Sequence, residues 1–243
     1  MSRFADARRY GEMVREKWRF ALRERSGRRV RGVYHPRGAD VRVVIRHGTG
    51  DRSVLHETWR SGEYVPPRPA EEILRACRPL RFVELRGHVG LFGALVLARY
   101  PGALVTSFEP DPASAAVLRE CIRLNGVGGR WELVEACAGA ADGRVELPMV
   151  DALPRIQGAD FVKFDLEGSE WPILADPRFA ADPPRVVLVE WHSPGAPEDN
   201  AKRAAVAALE PLGFRIHHPP PFDAVPLDEP LWGAGVLWSW RDA

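Results

Sequence analysis

Phe82-Val83-Glu84-Leu85-Arg86-Gly87-His88-Val89-Gly90 reads as a strand ending in a glycine turn, and Phe108-Glu109-Pro110-Asp111 reads as the end of the strand that follows it. The glycines let a strand turn sharply into a helix whose first N–H groups are free to meet a ligand. A carboxylate at the next strand end is suited to accept both hydroxyls of a ribose. Nineteen residues separate Gly90 from Glu109, close to the offset of about 20 that brings the tip of the second strand beside the first turn. Together the two stretches predict a nucleotide-type cofactor site in an α/β fold.

Outward from this centre, strand-length and helix-length segments alternate from about residue 70. Strands are expected near 81–85, 103–108, 131–136, 159–165 and 185–191, and helices near 70–77, 89–100, 112–124, 169–175 and 198–210. That order implies a mostly parallel sheet with crossover helices on both faces. Phe214-Arg215-Ile216-His217 and Val236-Leu237-Trp238-Ser239-Trp240 are strand-like and form a closing hairpin around a proline-rich loop. Asp142-Gly143 within Ala141-Asp142-Gly143-Arg144 reads as a hairpin turn, since this dipeptide tolerates positive φ.

The first 69 residues read as an accessory region and residues 70–243 as the cofactor-binding domain. The accessory part is expected to hold a charged helix over 3–25, strands near 30–34 and 41–47, and a helix opening at Gly50-Asp51 with Asp51 as its cap and Glu57 along it. Val65-Pro66-Pro67-Arg68-Pro69 then forbids a continuing helix and marks a linker or lid, with Tyr64 placed to close over the cofactor.

A chain of 243 residues with 45% hydrophobic content can bury one full core, and its net charge of +1 argues against a dedicated nucleic-acid binder. The charge is uneven: residues 1–31 hold eleven Arg or Lys against Asp6, Glu12, Glu16 and Glu24. A solvated helix face explains that excess most simply, and contact with a phosphorylated substrate, an acidic partner or a membrane surface is the alternative. Cys77, Cys121 and Cys137 are odd in number and lack metal-type spacing, so they are expected to be small buried hydrophobes in a reducing compartment. No apolar run approaches the roughly 18 residues of a membrane span, and the start of the chain lacks the apolar stretch of a secretory signal. The expectation is a soluble, cytoplasmic protein with no membrane span, and the N-terminal helix leaves room for a homodimer.

In a parallel sheet the working residues gather at the carboxyl ends of the strands. Besides Glu84 to Gly90 and Glu109, these ends hold the turn at Ala136–Gly139, the string Asp165-Leu166-Glu167-Gly168-Ser169-Glu170, and Glu190-Trp191-His192. Asp111 can cap the following helix, which leaves Glu109 free for a ligand. Glu190 and His192, two residues apart on a strand, point to the same side, so Asp165, Glu190 and His192 are expected to converge. With ordinary pKa values of about 6.5 for His and about 3.9 for Asp, His192 is the better general base at neutral pH, with Asp165 and Glu190 orienting an acceptor or the imidazole. The same three side chains could instead hold a divalent metal, the second choice. Trp59, Trp171, Trp191 and Trp232 are candidate stacking surfaces, with core burial favoured for Trp171 and Trp232.

These residues resemble the FkbM-type methyltransferases, which use S-adenosylmethionine on a class I, seven-stranded Rossmann-like fold. The resemblance rests on Gly50-Asp51-Arg52-Ser53-Val54 through Gly62-Glu63-Tyr64, on Val83-Glu84 to Gly90-Leu91-Phe92 with Phe108-Glu109-Pro110-Asp111, and on Lys163-Phe164-Asp165-Leu166-Glu167-Gly168-Ser169-Glu170 with Val189-Glu190-Trp191-His192. It covers residue 41 onward and implies O-methylation of a small-molecule hydroxyl, as on a sugar or secondary metabolite. It also implies cofactor contacts from Tyr64, Glu84, Arg86, Gly87, His88, Gly90, Glu109, Pro110 and Asp165. Arg86 and His88 stand where the family usually has Gly and Asn. A guanidinium there either pairs with the cofactor's carboxylate or obstructs the site, the second case describing a non-catalytic partner subunit. A nicotinamide-dependent oxidoreductase shares the glycine turn and is the remaining alternative.

Overall fold

The computed structural model describes residues 10–144 and 147–242. Its centre is a seven-stranded sheet built from β3 (Arg81–Glu84), β4 (Leu104–Phe108), β5 (Trp131–Val134), β9 (Phe161–Phe164), β10 (Val186–His192), β11 (Arg215–His217) and β12 (Ala234–Trp240). The spatial order is β11-β12-β10-β9-β3-β4-β5. From β10 to β5 all neighbours run parallel, while β12 is antiparallel to both β10 and β11. This is the expected class I Rossmann-like arrangement with its closing hairpin. The chain leaves β3 in one direction for β4 and β5, then returns to the other side of β3 as β9. Strand order therefore reverses at the β3/β9 boundary, and the carboxyl ends of those two strands frame a crevice suited to a ligand.

Alternation along each strand feeds two apolar layers. Phe82 and Phe161 face one layer, where their rings lie 4.7 Å apart and Phe161 stacks at 5.5 Å on Trp238. Val83, Val162 and Phe164 face the other, with Val187, Val189 and Trp191. The first helix after the glycine turn is α4 (Leu91–Arg99); α5 (Pro112–Asn125) follows β4. Asp111 caps α5 by accepting from the Ser114 N–H at 2.9 Å, as expected, and Gly126 ends it in the left-handed conformation. After β10 comes α6 (Ala201–Leu209), capped by Asn200.

The N-terminal region contributes α1 (Lys17–Ser26), the antiparallel pair β1 (Arg31–Tyr34) and β2 (Val43–Arg46), and α2 (Asp51–His56), which continues as a π-helical turn over Glu57–Ser61. Met13, Val14, Phe20, Tyr34 and Val43 to Ile45 belong to the same buried layer as Phe82 and Trp238. Asn125 at the end of α5 clamps Arg42, accepting from its N–H at 2.8 Å and donating to its carbonyl at 2.7 Å.

Several local expectations are corrected. The charged helix expected over 3–25 is interrupted: Tyr10 and Gly11 are helical, Val14 then bridges Pro36 and the Arg15 N–H bonds to the His35 carbonyl at 2.9 Å so that this backbone pairs like a strand, and helix resumes over Lys17–Ser26, residues 1–9 lying outside the description. Asp51 does not cap its helix, because its buried carboxylate is taken by Arg46. The last two residues of the proline stretch open α3 (Arg68–Ala76), where a proline at the start of a helix forfeits no hydrogen bond. Asp142-Gly143 does not turn a hairpin: β7 (Gly143–Arg144) and β6 (Cys137–Gly139) both pair with β8 (Pro148–Asp151) and not with each other. Cys77 and Cys121 are buried, but Cys137 is only partly so.

Candidate active site

The glycine turn is pressed between β4 and α5. A Cβ on Gly87 would lie 2.6 Å from Leu118 Cδ1 and 2.9 Å from Ser107 Cβ, so glycine is what allows this approach. Gly90 precedes α4 at φ 83° and His88 sits at φ 47°. The left-handed turn aims the His88 N–H at Glu109, whose Oε2 accepts it at 2.6 Å while Oε1 accepts the Asp111 N–H at 2.9 Å. Glu109 is thereby fixed by backbone on both oxygens, in a buried position. Burial pushes its pKa up, and the two N–H bonds and Arg86 oppose that rise.

His88 is held from the other side by the N-terminal region. Arg46 donates to Asp51 from its backbone N–H at 2.9 Å, from Nε at 3.0 Å and from Nη2 at 2.9 Å, and Nη2 also lies 3.1 Å from His88 Nε2. A guanidinium has only donors, so Nε2 offers its lone pair and the ring proton belongs on Nδ1. Burial lowers the His88 pKa, and the charges of Arg46 and Arg86 lower it further against Asp51, which keeps the ring neutral near pH 7.

At the ends of β9 and β10 lies a buried charge cluster centred on Lys163. Its Nζ sits 2.8 Å from Asp165 Oδ2 and 2.8 Å from Glu190 Oε1, over the faces of Tyr64 and Phe92 at 5.4 and 5.6 Å. Burial alone would discharge the ammonium, but Asp165, Glu190 and Glu84 outweigh it and raise its pKa. Asp165 is likewise held below its ordinary value despite burial, by Lys163, Arg86 and His192. Glu190 is pushed up by burial and by Asp165, against Lys163 and the hydrogen bond that Tyr64 donates to it. Glu84, fully buried at the end of β3, rises to about 7 through desolvation, with Lys163 and the Ser107 hydroxyl opposing. The expected lid residue Tyr64 is itself buried, with its ring edge-on to Phe92 at 5.2 Å.

His192 ends β10 beside Glu170. The fully buried Glu170 accepts the His192 N–H at 3.0 Å, lies 3.3 Å from Nδ1, and accepts the Gly168 N–H at 2.9 Å with its other oxygen. Burial by itself would lower the His192 pKa, but Glu170, Glu167 and Asp165 outweigh it and raise it. Asp165, Glu190 and His192 do converge: one ligand atom from each lies within 4.8 Å of the others. The chemistry of that set does not favour a metal, however, because the Lys163 ammonium already stands between the two carboxylates where a cation's charge would be needed.

Two cavities meet at this end of the sheet. One, of about 180 Å³, is lined by Tyr64, Gly87 and His88 and by the carboxylates Glu57, Glu84, Asp165, Glu167 and Glu190 against the cations Arg86 and Lys163. The other, of about 430 Å³, is mostly apolar, with Leu85, Pro110, Ala138, Leu147, Met149 and Leu166. Arg86 and Glu167 line both, and Arg86 Nη1 forms an ion pair with Glu167 at the shared wall, 3.6 Å from Asp165 Oδ1. Of the tryptophans, Trp171 and Trp191 are buried in the core, Trp59 is partly buried, and Trp232 is 83% exposed, the reverse of the burial expected for it. Trp191 faces inward from β10 against Phe222 at 6.3 Å and is closed to a ligand.

No protein-family model matches the chain, and no curated protein matches it in sequence. Similar solved structures include the precorrin-6y C5,15-methyltransferase of Geobacter metallireducens GS-15, at 12% identity and TM-score 0.46 over 74% of this chain and 96% of that one. TYW2 of M. jannaschii in complex with AdoMet shares 12% identity over 88% of this chain and 86% of that one, with TM-score 0.46. Fibrillarin of Aeropyrum pernix with natively bound S-adenosyl-L-methionine shares 15% identity over 73% and 76%, again with TM-score 0.46. Superposition at this level carries no weight for chemistry, which has to be read from the side chains.

Lys163 and Glu170 enter the sequence reading only as parts of a motif and Glu57 only as a helix position; none is given a role in the site. Lys163 also reads as the odd charge in an apolar strand, and its spacing of two from Asp165 is the available signal that the two side chains share a face. Nothing local ties Glu57 to Glu190, which together with burial raises its pKa.

Proposed function

We propose that this chain is an S-adenosylmethionine-dependent methyltransferase that transfers the methyl group to a hydroxyl of a small-molecule acceptor. The observation that carries the reading is the carboxylate-rich lining of the polar cavity beside an apolar one. A bipartite ligand with a flat apolar end and a cationic end matches that pair, with the ring system against Pro110, Ala138 and Met149 and the positive end toward Glu84 and Asp165. The pyrophosphate of a dinucleotide would instead face five carboxylates, which disfavours the oxidoreductase reading. The motif resemblance to FkbM-type enzymes supports the same assignment.

In this reading Glu109, oriented by His88 and Asp111, takes the ribose hydroxyls, and Glu84 takes the ammonium of the amino-acid portion. The bound cofactor supplies a methyl group already activated for transfer, so the protein's main task is orientation. Glu190 and Asp165, held by Lys163, position the acceptor hydroxyl, and His192 in its neutral form accepts the proton that the hydroxyl loses. Glu170 orients the imidazole. A metal has no part here, for the reason given by Lys163.

One observation favours the non-catalytic reading: the Arg86–Glu167 ion pair crosses the wall between the cavities. Arg86 has to leave Glu167, or use its remaining donors, for one ligand to occupy both. Calorimetric titration with S-adenosylhomocysteine tests both readings. Micromolar binding that weakens in Arg86→Ala supports the enzyme with Arg86 as a ligand. Absence of binding in the native chain with binding in Arg86→Gly would establish the non-catalytic form.

A further inference from the structure

We infer that the outer face of α1 and the segment after it form a docking surface for an anionic lipid bilayer. This surface lies outside the site described above. Among residues 15–31, those exposed to solvent include Trp18, Leu22 and Val30, at 70%, 61% and 38%, and six arginines, Arg15, Arg19, Arg25, Arg28, Arg29 and Arg31. Positions 18, 22 and 25 fall on one stripe of the helix, opposite the fully buried Phe20. Two acids beside it, Glu16 and Glu24, are turned away from that stripe. Glu16 accepts the His35 N–H at 3.0 Å and approaches its ring Nδ1 at 2.6 Å, while Glu24 meets His47 at 2.7 Å and Arg52 at 3.2 Å. The sequence is therefore mixed in charge, but the fold sorts it: Glu16 and Glu24 turn inward, Glu12 is drawn to Lys17 at 3.6 Å, and arginines and apolar side chains predominate on the outward surface.

Arg15, Arg19, Arg28, Arg29 and Arg31 are only lightly neutralised. Arg19 and Arg31 reach Glu16 and Glu120 at 3.9 and 3.6 Å, the Arg15 guanidinium goes to the Ala39 carbonyl, and no ion pair joins Arg28 or Arg29 to a carboxylate among the described residues. Phosphates of a nucleic acid would satisfy such charges but leave Trp18 and Leu22 in water. An anionic membrane surface satisfies both, since an indole and aliphatic groups enter the headgroup region while arginines pair with lipid phosphates. No helix among the described residues is long and apolar enough to cross a bilayer, so the contact is peripheral.

Vesicle flotation with the full chain tests this. Vesicles of equal parts phosphatidylglycerol and phosphatidylcholine should carry the protein at low salt, pure phosphatidylcholine should not, and high salt should release it. Trp18→Ser with Leu22→Ser should weaken partitioning at least about tenfold, and Arg28→Ala with Arg29→Ala about thirtyfold. Both variants change exposed residues and should keep the native urea midpoint and S-adenosylhomocysteine affinity. Failure of the native protein to float with anionic vesicles overturns the inference, as does equal flotation of the Trp18/Leu22 variant. Retention on duplex DNA without flotation would replace the bilayer with nucleic acid, and a lipid-free dimer dissolved by the Trp18/Leu22 variant would replace it with a second copy.

Discussion

Replacing Lys163 with Met removes one charge from a cluster that depends on it, and the size of the effect follows from the geometry. The ammonium lies 2.8 Å from both Asp165 and Glu190 and is almost wholly buried. At an effective dielectric near 20, unit charges about 3 Å apart attract by ~5–6 kcal/mol. Much of that offsets the cost of dehydrating the three groups, and removal of the ammonium alone should cost ~3–5 kcal/mol, because two carboxylates are left facing each other without a counter-charge. For a domain of this length each kcal/mol lowers Tm by roughly 2 °C or more, so Lys163→Met should melt at least about 6 °C below the native protein at neutral pH. The pH dependence has a definite sign. Lys163 is raised and Asp165 lowered relative to their ordinary values of 10.5 and 3.8, so in the native protein both charges persist throughout the neutral range. The lysine's contribution is lost only as pH rises through its raised folded pKa, and the aspartate's only as pH falls through its lowered one. In the variant the stranded carboxylates gain protons readily on acidification, so the deficit should shrink from pH 8 to pH 5. Adding Glu190→Gln should restore part of the loss at pH 8. Thermal and urea unfolding of the three proteins at both pH values decide the matter: a single-variant loss under about 1 kcal/mol, or a deficit independent of pH, refutes the charge-centre account.

Other outcomes follow from the same geometry. Dialysis against a chelator should leave S-adenosylhomocysteine affinity and turnover unchanged, whereas a loss repaired by a divalent cation would show that Asp165, Glu190 and His192 displace Lys163 to hold one. Glu109→Gln should weaken S-adenosylhomocysteine binding about tenfold to a hundredfold in calorimetry, through loss of charged hydrogen bonds; unchanged affinity would remove Glu109 from the ligand site. The raised pKa of His192 means that kcat/KM should fall as pH drops through a value above the ordinary 6.5, and His192→Gln should abolish that limb with a loss of about 10²–10⁴. An intact limb in the variant would assign the base elsewhere. Asp111→Ala should cost ~0.5–2 kcal/mol in urea unfolding by uncapping α5, and a cost near zero would deny the cap its role.

The fold was legible because its signals are local. A strand, two glycines, a helix and a carboxylate nineteen residues on define a parallel crossover without knowledge of anything distant, and the convergence of Asp165, Glu190 and His192 followed from their common place at strand ends. What escaped was decided by partners far along the chain. Asp51 has the form of a helix cap, yet Arg46 takes its carboxylate. Glu16 and Glu24 look like surface residues of one long helix, but His35 and His47 draw them inward and the helix shortens. Lys163 looked like a charge misplaced in an apolar run until Tyr64, Phe92 and Glu190 came around it, and a period of two cannot reveal which strand end will neutralise a buried ammonium. Arg86 stood out from its place in the glycine turn, whereas its Glu167 partner is visible only in the fold.

The last strand of the sheet has a bearing on how the site comes into being. Trp238 on β12 donates from its indole nitrogen to the Glu63 carbonyl at 2.9 Å, one residue before the tyrosine that closes on Glu190. Residues 175 positions apart are thus joined at the edge of the polar cavity. While the chain is being synthesised, β3, β4 and their glycine turn emerge long before β12, so the turn can assemble early but the wall carrying Tyr64 waits for the final hairpin. Order of synthesis alone therefore keeps a nascent chain from presenting a finished polar cavity.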